Sequence, residues 1–129
     1  MTVVAQVLTL DQDETVRLNP DKLGELYRQL GDAGAEDVVC RAIEELAVRL
    51  SHCERAWRAD NYSELSKCAR SLIAIADQIG MTALARVADD VGQALRSDDR
   101  SAVAATLYRL IRIGEKSLTA VWDQRDLSL

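Results

Sequence analysis

The feature that most constrains this chain is its shortage of residues that break helices. Among its 129 residues it has one proline, Pro20, and six glycines. Proline removes a backbone donor and clashes with the preceding helical turn, and glycine weakens a helix by about 1 kcal/mol relative to alanine. Long helices are therefore permitted over nearly the whole sequence. Phenylalanine is absent and aromatic residues make up only 4%, so the composition favours helices packed through aliphatic side chains over a β-sheet.

Apolar residues recur at spacings of three and four along most of the chain, which is the period of an amphipathic helix. The pattern predicts a short leading helix followed by four long helices. The predicted ranges are 20–30, 35–59, 62–79, 82–96 and 101–122. Short connections between long helices force neighbours to be antiparallel. We therefore expect one domain over residues 16–129, an all-α, up-and-down four-helix bundle, preceded by an extended N-terminal segment or arm over residues 1–15.

Local signals indicate where these helices begin, end and cross. Asn61 is followed three residues later by Glu64, which is a capping-box pattern for the start of a helix. Gly31 is expected to end the short leading helix. Gly114 lies inside an apolar stripe that continues past it, so it indicates a close crossing with another helix rather than a break.

Charge and apolar content exclude several classes of function. The formal net charge is −5 and apolar residues make up 48%, which is typical of an ordinary globular domain and argues against nucleic acid as a partner. No apolar run reaches the roughly 18 residues of a membrane span, and residues 1–10 lack the basic start of a secretory signal. Cys40, Cys53 and Cys68 have no metal-ligand spacing, which indicates reduced thiols in a cytoplasmic protein. We expect no cofactor, no metal and no membrane association.

The most informative string covers residues 69–80 and reads Ala-Arg-Ser-Leu-Ile-Ala-Ile-Ala-Asp-Gln-Ile-Gly. In this string and in the order of its helices, the chain resembles the histidine phosphotransfer (HPt) domain of bacterial phosphorelays over residues 16–122. The family's pattern reads roughly Ala-His-Ser-Leu-Lys-Gly-Ser-Ala, two variable residues and Leu-Gly. The residues that agree with this pattern are Ala69, Ser71, Leu72, Ala76 and Gly80.

Three positions depart from the family pattern, and in the family these positions carry the chemistry. The resemblance places Arg70 where the phosphoryl-accepting histidine stands. Ile73 replaces a lysine that helps neutralise the phosphoryl group, and Ala74 replaces a glycine that lets the partner approach. Arginine stays protonated and has no lone pair with which to accept a phosphoryl group. The resemblance therefore implies a signalling module that is not an enzyme and that acts by docking a response-regulator receiver domain or a histidine kinase.

Helical geometry predicts which residues would form the docking surface. At about 100° per residue, Arg70 lies roughly 160° from the centre of the apolar stripe and faces solvent. Lys67, Ala74 and Asp77 share its side of the helix. The guanidinium fork of Arg70 suits an acidic pocket, and Ile73, which is expected to be exposed, would add an apolar contact. Arg70 is also open to interpretation as an ordinary surface cation.

Two other functions stay open at the level of sequence. His52 is the only histidine and faces mostly outward, so it is an alternative phospho-acceptor for a working phosphotransfer protein, although an ordinary surface role also fits it. No second histidine exists to complete a familiar metal site with it. The second alternative is a structural bundle that acts by self-association, as a homodimer joined through residues 2–10.

Overall fold

A computed structural model of the chain describes residues 19–128, with side chains described for residues 19–119. The expected extension over residues 1–15, and the homodimer contact placed in it, lie outside the described residues. The described part contains helices and no strand: α1 (Pro20–Arg58), α2 (Tyr62–Gln78), α3 (Thr82–Arg96) and α4 (Arg100–Ser128). Helices α1 and α3 each pack against both α2 and α4. The prediction of an all-α four-helix bundle is confirmed.

Two features of the helices differ from the predicted ranges by more than one residue. The leading helix and the second helix are joined as one element, α1, with a kink at Gly31, where φ is 75° and ψ is 172°. Glycine adopts this positive φ without the steric penalty of a side chain. Helix α4 ends at Ser128, six residues beyond the predicted end at residue 122. The apolar period fades there, but no glycine or proline follows to stop the helix.

Asparagine side chains begin α1 and α2. The Asn19 Oδ1 atom accepts a hydrogen bond from the backbone N–H of Asp21 at 2.9 Å, and Asn61 Oδ1 accepts one from the backbone N–H of Glu64 at 3.1 Å. The capping box predicted at Asn61 is half formed. The Asn61 N–H donates to the carbonyl of Ala56 at 2.9 Å, so this donor is already satisfied and does not need the Glu64 carboxylate.

The core consists of aliphatic side chains contributed by all four helices. Burying one leucine or isoleucine side chain stabilises a fold by about 1.5–3 kcal/mol. A Cβ atom placed on the buried Gly114 of α4 would lie 2.4 Å from the Cδ1 atom of Leu50 on α1. The prediction of a close crossing at Gly114 is therefore confirmed. The largest fully buried side chains include Leu23, Ile43, Leu46, Leu65, Leu72, Ile79, Leu84 and Leu110.

The start of α1 is held against the turn between α2 and α3. The Asn19 N–H donates to the carbonyl of Gly80 at 2.7 Å, and the Nζ atom of Lys22 donates to the backbone carbonyl of Asp77 at 3.0 Å. Carbonyls in the last turn of a helix lack helical partners, so a lysine at this end is favourable. Leu23 is fully buried beside these contacts. Helix α1 therefore begins at the C-terminal end of α2.

Candidate docking surface on helix α2

The orientation of α2 follows from its buried stripe. This stripe consists of Leu65, Cys68, Ala69, Leu72 and Ala76. Residues on the opposite side of the helix face solvent, because a helix turns by about 100° per residue. Lys67, Arg70, Ala74 and Asp77 are all exposed, and we call these four residues the α2 face.

The α2 face carries two cations that form no ion pair with an acidic group of the described chain. Lys67 and Arg70 are three residues apart and therefore neighbours on the helix surface. The ion pairs among the described residues involve other side chains, and neither Lys67 nor Arg70 forms a side-chain hydrogen bond with a described residue. In a chain with a net charge of −5, Lys67 and Arg70 are two adjacent positive charges, with the exposed carboxylates of Glu64 and Asp77 on either side of them along the helix. Two adjacent cations attract anionic groups of a partner.

Ile73, the fifth residue predicted for the docking surface, is less exposed than the sequence predicts. Its side chain is partly buried and packs against the core. The physical reason is its angular position: Ile73 lies about 100° from Leu72, at the edge of the buried stripe rather than opposite it. The exposed surface beside Arg70 is therefore formed by charged residues and the small side chain of Ala74.

Lys22 is a residue of this region that sequence reasoning did not find. Its side chain is exposed, and its Nζ atom reaches the carbonyl of Asp77 from the start of α1. It adds a third cation at the C-terminal end of the α2 face, where it is bonded to the backbone of Asp77. The two residues are 55 positions apart in sequence, so no local pattern indicates their proximity.

His52, the alternative phospho-acceptor, lies on α1 and is half-buried. No hydrogen bond or ion pair joins its imidazole to another described residue. In a histidine that acts chemically, a hydrogen-bond partner at one ring nitrogen sets which nitrogen carries the proton. The described surroundings of His52 provide no such partner.

The cysteines are packing residues. Cys53 of α1 and Cys68 of α2 are buried, and Cys40 is half-buried. Burial raises the pKa of the Cys53 thiol to about 12, and its neighbour Cys68 adds to this effect. Burial also raises the pKa of Cys68. Both buried thiols are protonated near neutral pH, and a protonated thiol is a poor nucleophile and a poor metal ligand.

None of the helices within residues 19–128 combines the length and apolar content that crossing a membrane requires. The described side chains, those of residues 19–119, form no group of three or more histidine, cysteine, aspartate or glutamate residues that would hold a metal ion. No protein-family model, curated protein or solved structure matches the chain. The resemblance to the HPt family is therefore a resemblance of sequence pattern only. The α2 face is the feature of the structure that suggests a function.

Proposed function

We propose that this protein is an HPt-like signalling module that docks the receiver domain of a bacterial response regulator through the α2 face without carrying phosphate. The observation that supports this function best is the position of Arg70. It is exposed on a central helix of a four-helix bundle, at the place where the resemblance to the HPt family puts the phosphoryl-accepting histidine. It has no acidic partner among the described residues.

Charge and shape both favour a receiver domain as the partner. In the HPt resemblance, the site on the receiver that meets this helix is an acidic pocket. The guanidinium group of Arg70 offers five N–H donors in a planar fork, which matches the geometry of a carboxylate. Lys67 supplies a second positive charge one helical turn away. Ala74, one turn further along, has a side chain too short to obstruct a partner.

The same residue argues against phosphoryl transfer at this position. The guanidinium group remains protonated at any physiological pH and has no free electron pair for attack on phosphorus. A docking surface needs only charge and shape, and the α2 face retains both. The α2 face therefore supports binding, whereas Arg70 cannot perform phosphoryl transfer.

Titration of purified receiver domains against the full chain, at low and high salt, tests the binding surface. Charged hydrogen bonds contribute about 1.5–3 kcal/mol, so Arg70→Glu should weaken binding at least about tenfold. Arg86→Glu is the matched control, because Arg86 is exposed on α3 and has no ion pair with a described residue. Equal losses in the two variants, or an unchanged affinity in Arg70→Glu, would contradict the proposed surface. A histidine kinase is titrated in the same way. If the kinase binds and the receiver domains do not, the α2 face is assigned to a histidine kinase instead.

Incubation with a phosphorylated receiver domain tests whether the protein carries phosphate. We expect no acid-labile label on the wild-type chain. A label that appears on the wild type and disappears in His52→Ala would show transfer through His52 and would overturn the docking-only function. Arg70→Ala serves as the control, because it alters the α2 face without removing the imidazole.

A further inference from the structure

Three side chains with hydrogen-bond donors lie together on α2. Ser66 and Lys67 are one turn before Arg70, and at about 100° per residue they lie about 40° and 60° to either side of it. Lys67 and Arg70 are exposed, and Ser66 is half-buried. The hydroxyl, ammonium and guanidinium groups are therefore neighbours on the helix surface and can contact one small group of a partner.

These donors are unused within the described part of the chain. No described carboxylate forms an ion pair with Lys67 or Arg70, and no hydrogen bond joins the side chain of Ser66, Lys67 or Arg70 to a described residue. A carboxylate accepts hydrogen bonds through two oxygens. A phosphoryl group accepts through three oxygens and carries about 1.5–2 negative charges, so it uses this set of donors more fully.

Small side chains leave the guanidinium group of Arg70 accessible. Ser66 and Ala74 are four residues before and after it, so they are its neighbours on the adjacent turns. Neither side chain is long enough to cover a guanidinium group. Ile73, another neighbour, packs against the core instead. A small group of a partner can therefore reach the guanidinium group along the helix surface.

The acidic residues of α2 limit the size of the anion that fits this surface. Glu64 is one turn before Lys67, Asp77 is two turns after Arg70, and both acidic side chains are exposed. Their carboxylates repel a broad acidic surface that would cover the whole helix. A compact anion at Arg70 is about 9–11 Å from both along the helix axis, which exceeds the screening length of about 8 Å at physiological salt. The arrangement therefore favours a small group of high charge.

We propose that Ser66, Lys67 and Arg70 together bind the phosphoryl group on the aspartate of a phosphorylated receiver domain, so that the protein binds this form in preference to the unphosphorylated one. The phosphorylation state of the receiver is then the signal that controls docking. Arg70 cannot accept the phosphoryl group, so no bond forms or breaks and the phosphate stays on the receiver. This inference rests on the proposed function and adds to it the state of the partner.

Titration of the full chain with purified receiver domains in two states tests this preference. The probe for the phosphorylated state is a receiver domain treated with beryllofluoride, which mimics a phosphoryl group on aspartate. The chain should bind it at least about tenfold more tightly than the untreated domain. Arg70→Gln should reduce the preference to less than about threefold, and Ser66→Ala should reduce it in part. Arg86→Gln is the matched control, because Arg86 is exposed on α3, and it should keep the full preference.

The possible results separate this inference from the proposed function. Equal affinity for the two states, with both weakened by Arg70→Glu, would overturn the phosphoryl site and leave docking through the α2 face intact. Failure of every receiver domain to bind in either state would contradict the proposed function and this inference with it. A full preference that persists in Arg70→Gln would place the discrimination elsewhere and would overturn the site.

Inorganic phosphate distinguishes a docking contact from a site for the free anion. Phosphate added at the concentration of the receiver domain should leave the preference for the beryllofluoride-treated form unchanged, because a free anion makes none of the other contacts of the receiver surface. Loss of the preference under these conditions would show that Ser66, Lys67 and Arg70 bind free phosphate and would overturn the proposed recognition of the receiver.

Discussion

Replacement of Gly114 by alanine tests how closely α1 and α4 cross. The added Cβ atom would lie 2.4 Å from Leu50 Cδ1 and 3.0 Å from Leu50 Cδ2. Carbon atoms in optimal contact are about 3.5–4.0 Å apart, so either the two helices separate or the Leu50 side chain leaves its position. Leu50 is itself buried in the core, which leaves little room for it to move.

The magnitude follows from two opposing effects. Overfilling a packed core costs about 1–3 kcal/mol, and the better helix propensity of alanine offsets this by about 1 kcal/mol. We therefore expect Gly114→Ala to lower the free energy of unfolding by about 0–2 kcal/mol. Adding Leu50→Ala should give a double variant that is less destabilised than the sum of the single variants, because the new Cβ atom then occupies the vacated space.

Urea unfolding followed by far-UV circular dichroism measures these differences. Gly24→Ala is the matched control: Gly24 also lies in a helix, and nothing lies within 4 Å of an added Cβ atom there. That variant should gain up to about 1 kcal/mol. If Gly114→Ala gains stability to the same extent as Gly24→Ala, the reasoning about the crossing is refuted.

Three further predictions concern the packing of the bundle and use the same unfolding assay. The Tyr62 hydroxyl is buried without a hydrogen-bond partner in the described part, so Tyr62→Phe should leave stability unchanged or raise it by up to about 1 kcal/mol, and a clear loss would contradict this. Arg100 pairs with Asp60 at 2.8 Å and lies 5.9 Å from the Tyr62 ring centre. Arg100→Ala should therefore lower the free energy of unfolding by about 1 kcal/mol. The control Arg96→Ala should lower it much less. Burial raises the pKa of Cys53 from 9.0 to about 12, so the unfolded chain loses this proton at lower pH than the folded chain does. The resulting stabilisation is present below about pH 9 and decreases as the pH rises towards 12, by at most about 1.4 kcal/mol per pH unit. Cys53→Ala should make the loss of stability over this range less steep, and an unchanged slope would refute the assignment.

Local signals in the sequence determined the helices and most of their starts. The predicted range 82–96 coincides with α3, and α2 begins at Tyr62 as expected. The cap at Asn61 depends on atoms only three residues apart, so it can be recognised without knowledge of the fold. The sequence also distinguished Gly31 from Gly114, because the apolar period stops at Gly31 and continues through Gly114.

Helical spacing also determined which residues share a side of α2. Lys67, Arg70, Ala74 and Asp77 are all exposed, because the angle between two residues of one helix depends only on their separation. Spacing was not sufficient for Ile73, which lies at the edge of the stripe. Whether an edge residue is covered depends on how near the adjacent helix lies, and this distance is a property of the assembled bundle.

Contacts between distant parts of the chain were decided by the tertiary structure. The bond from Lys22 to the carbonyl of Asp77, the fit of Leu50 against Gly114, and the proximity of Cys53 to Cys68 all join different helices. Each requires a particular rotation of one helix against another, which arises from packing of the whole core. The sequence by itself therefore determined that Arg70 is a fixed positive charge on the solvent side of α2. Only the bundle showed that no described acid forms an ion pair with that charge, and that Lys22 lies at the C-terminal end of the same helix.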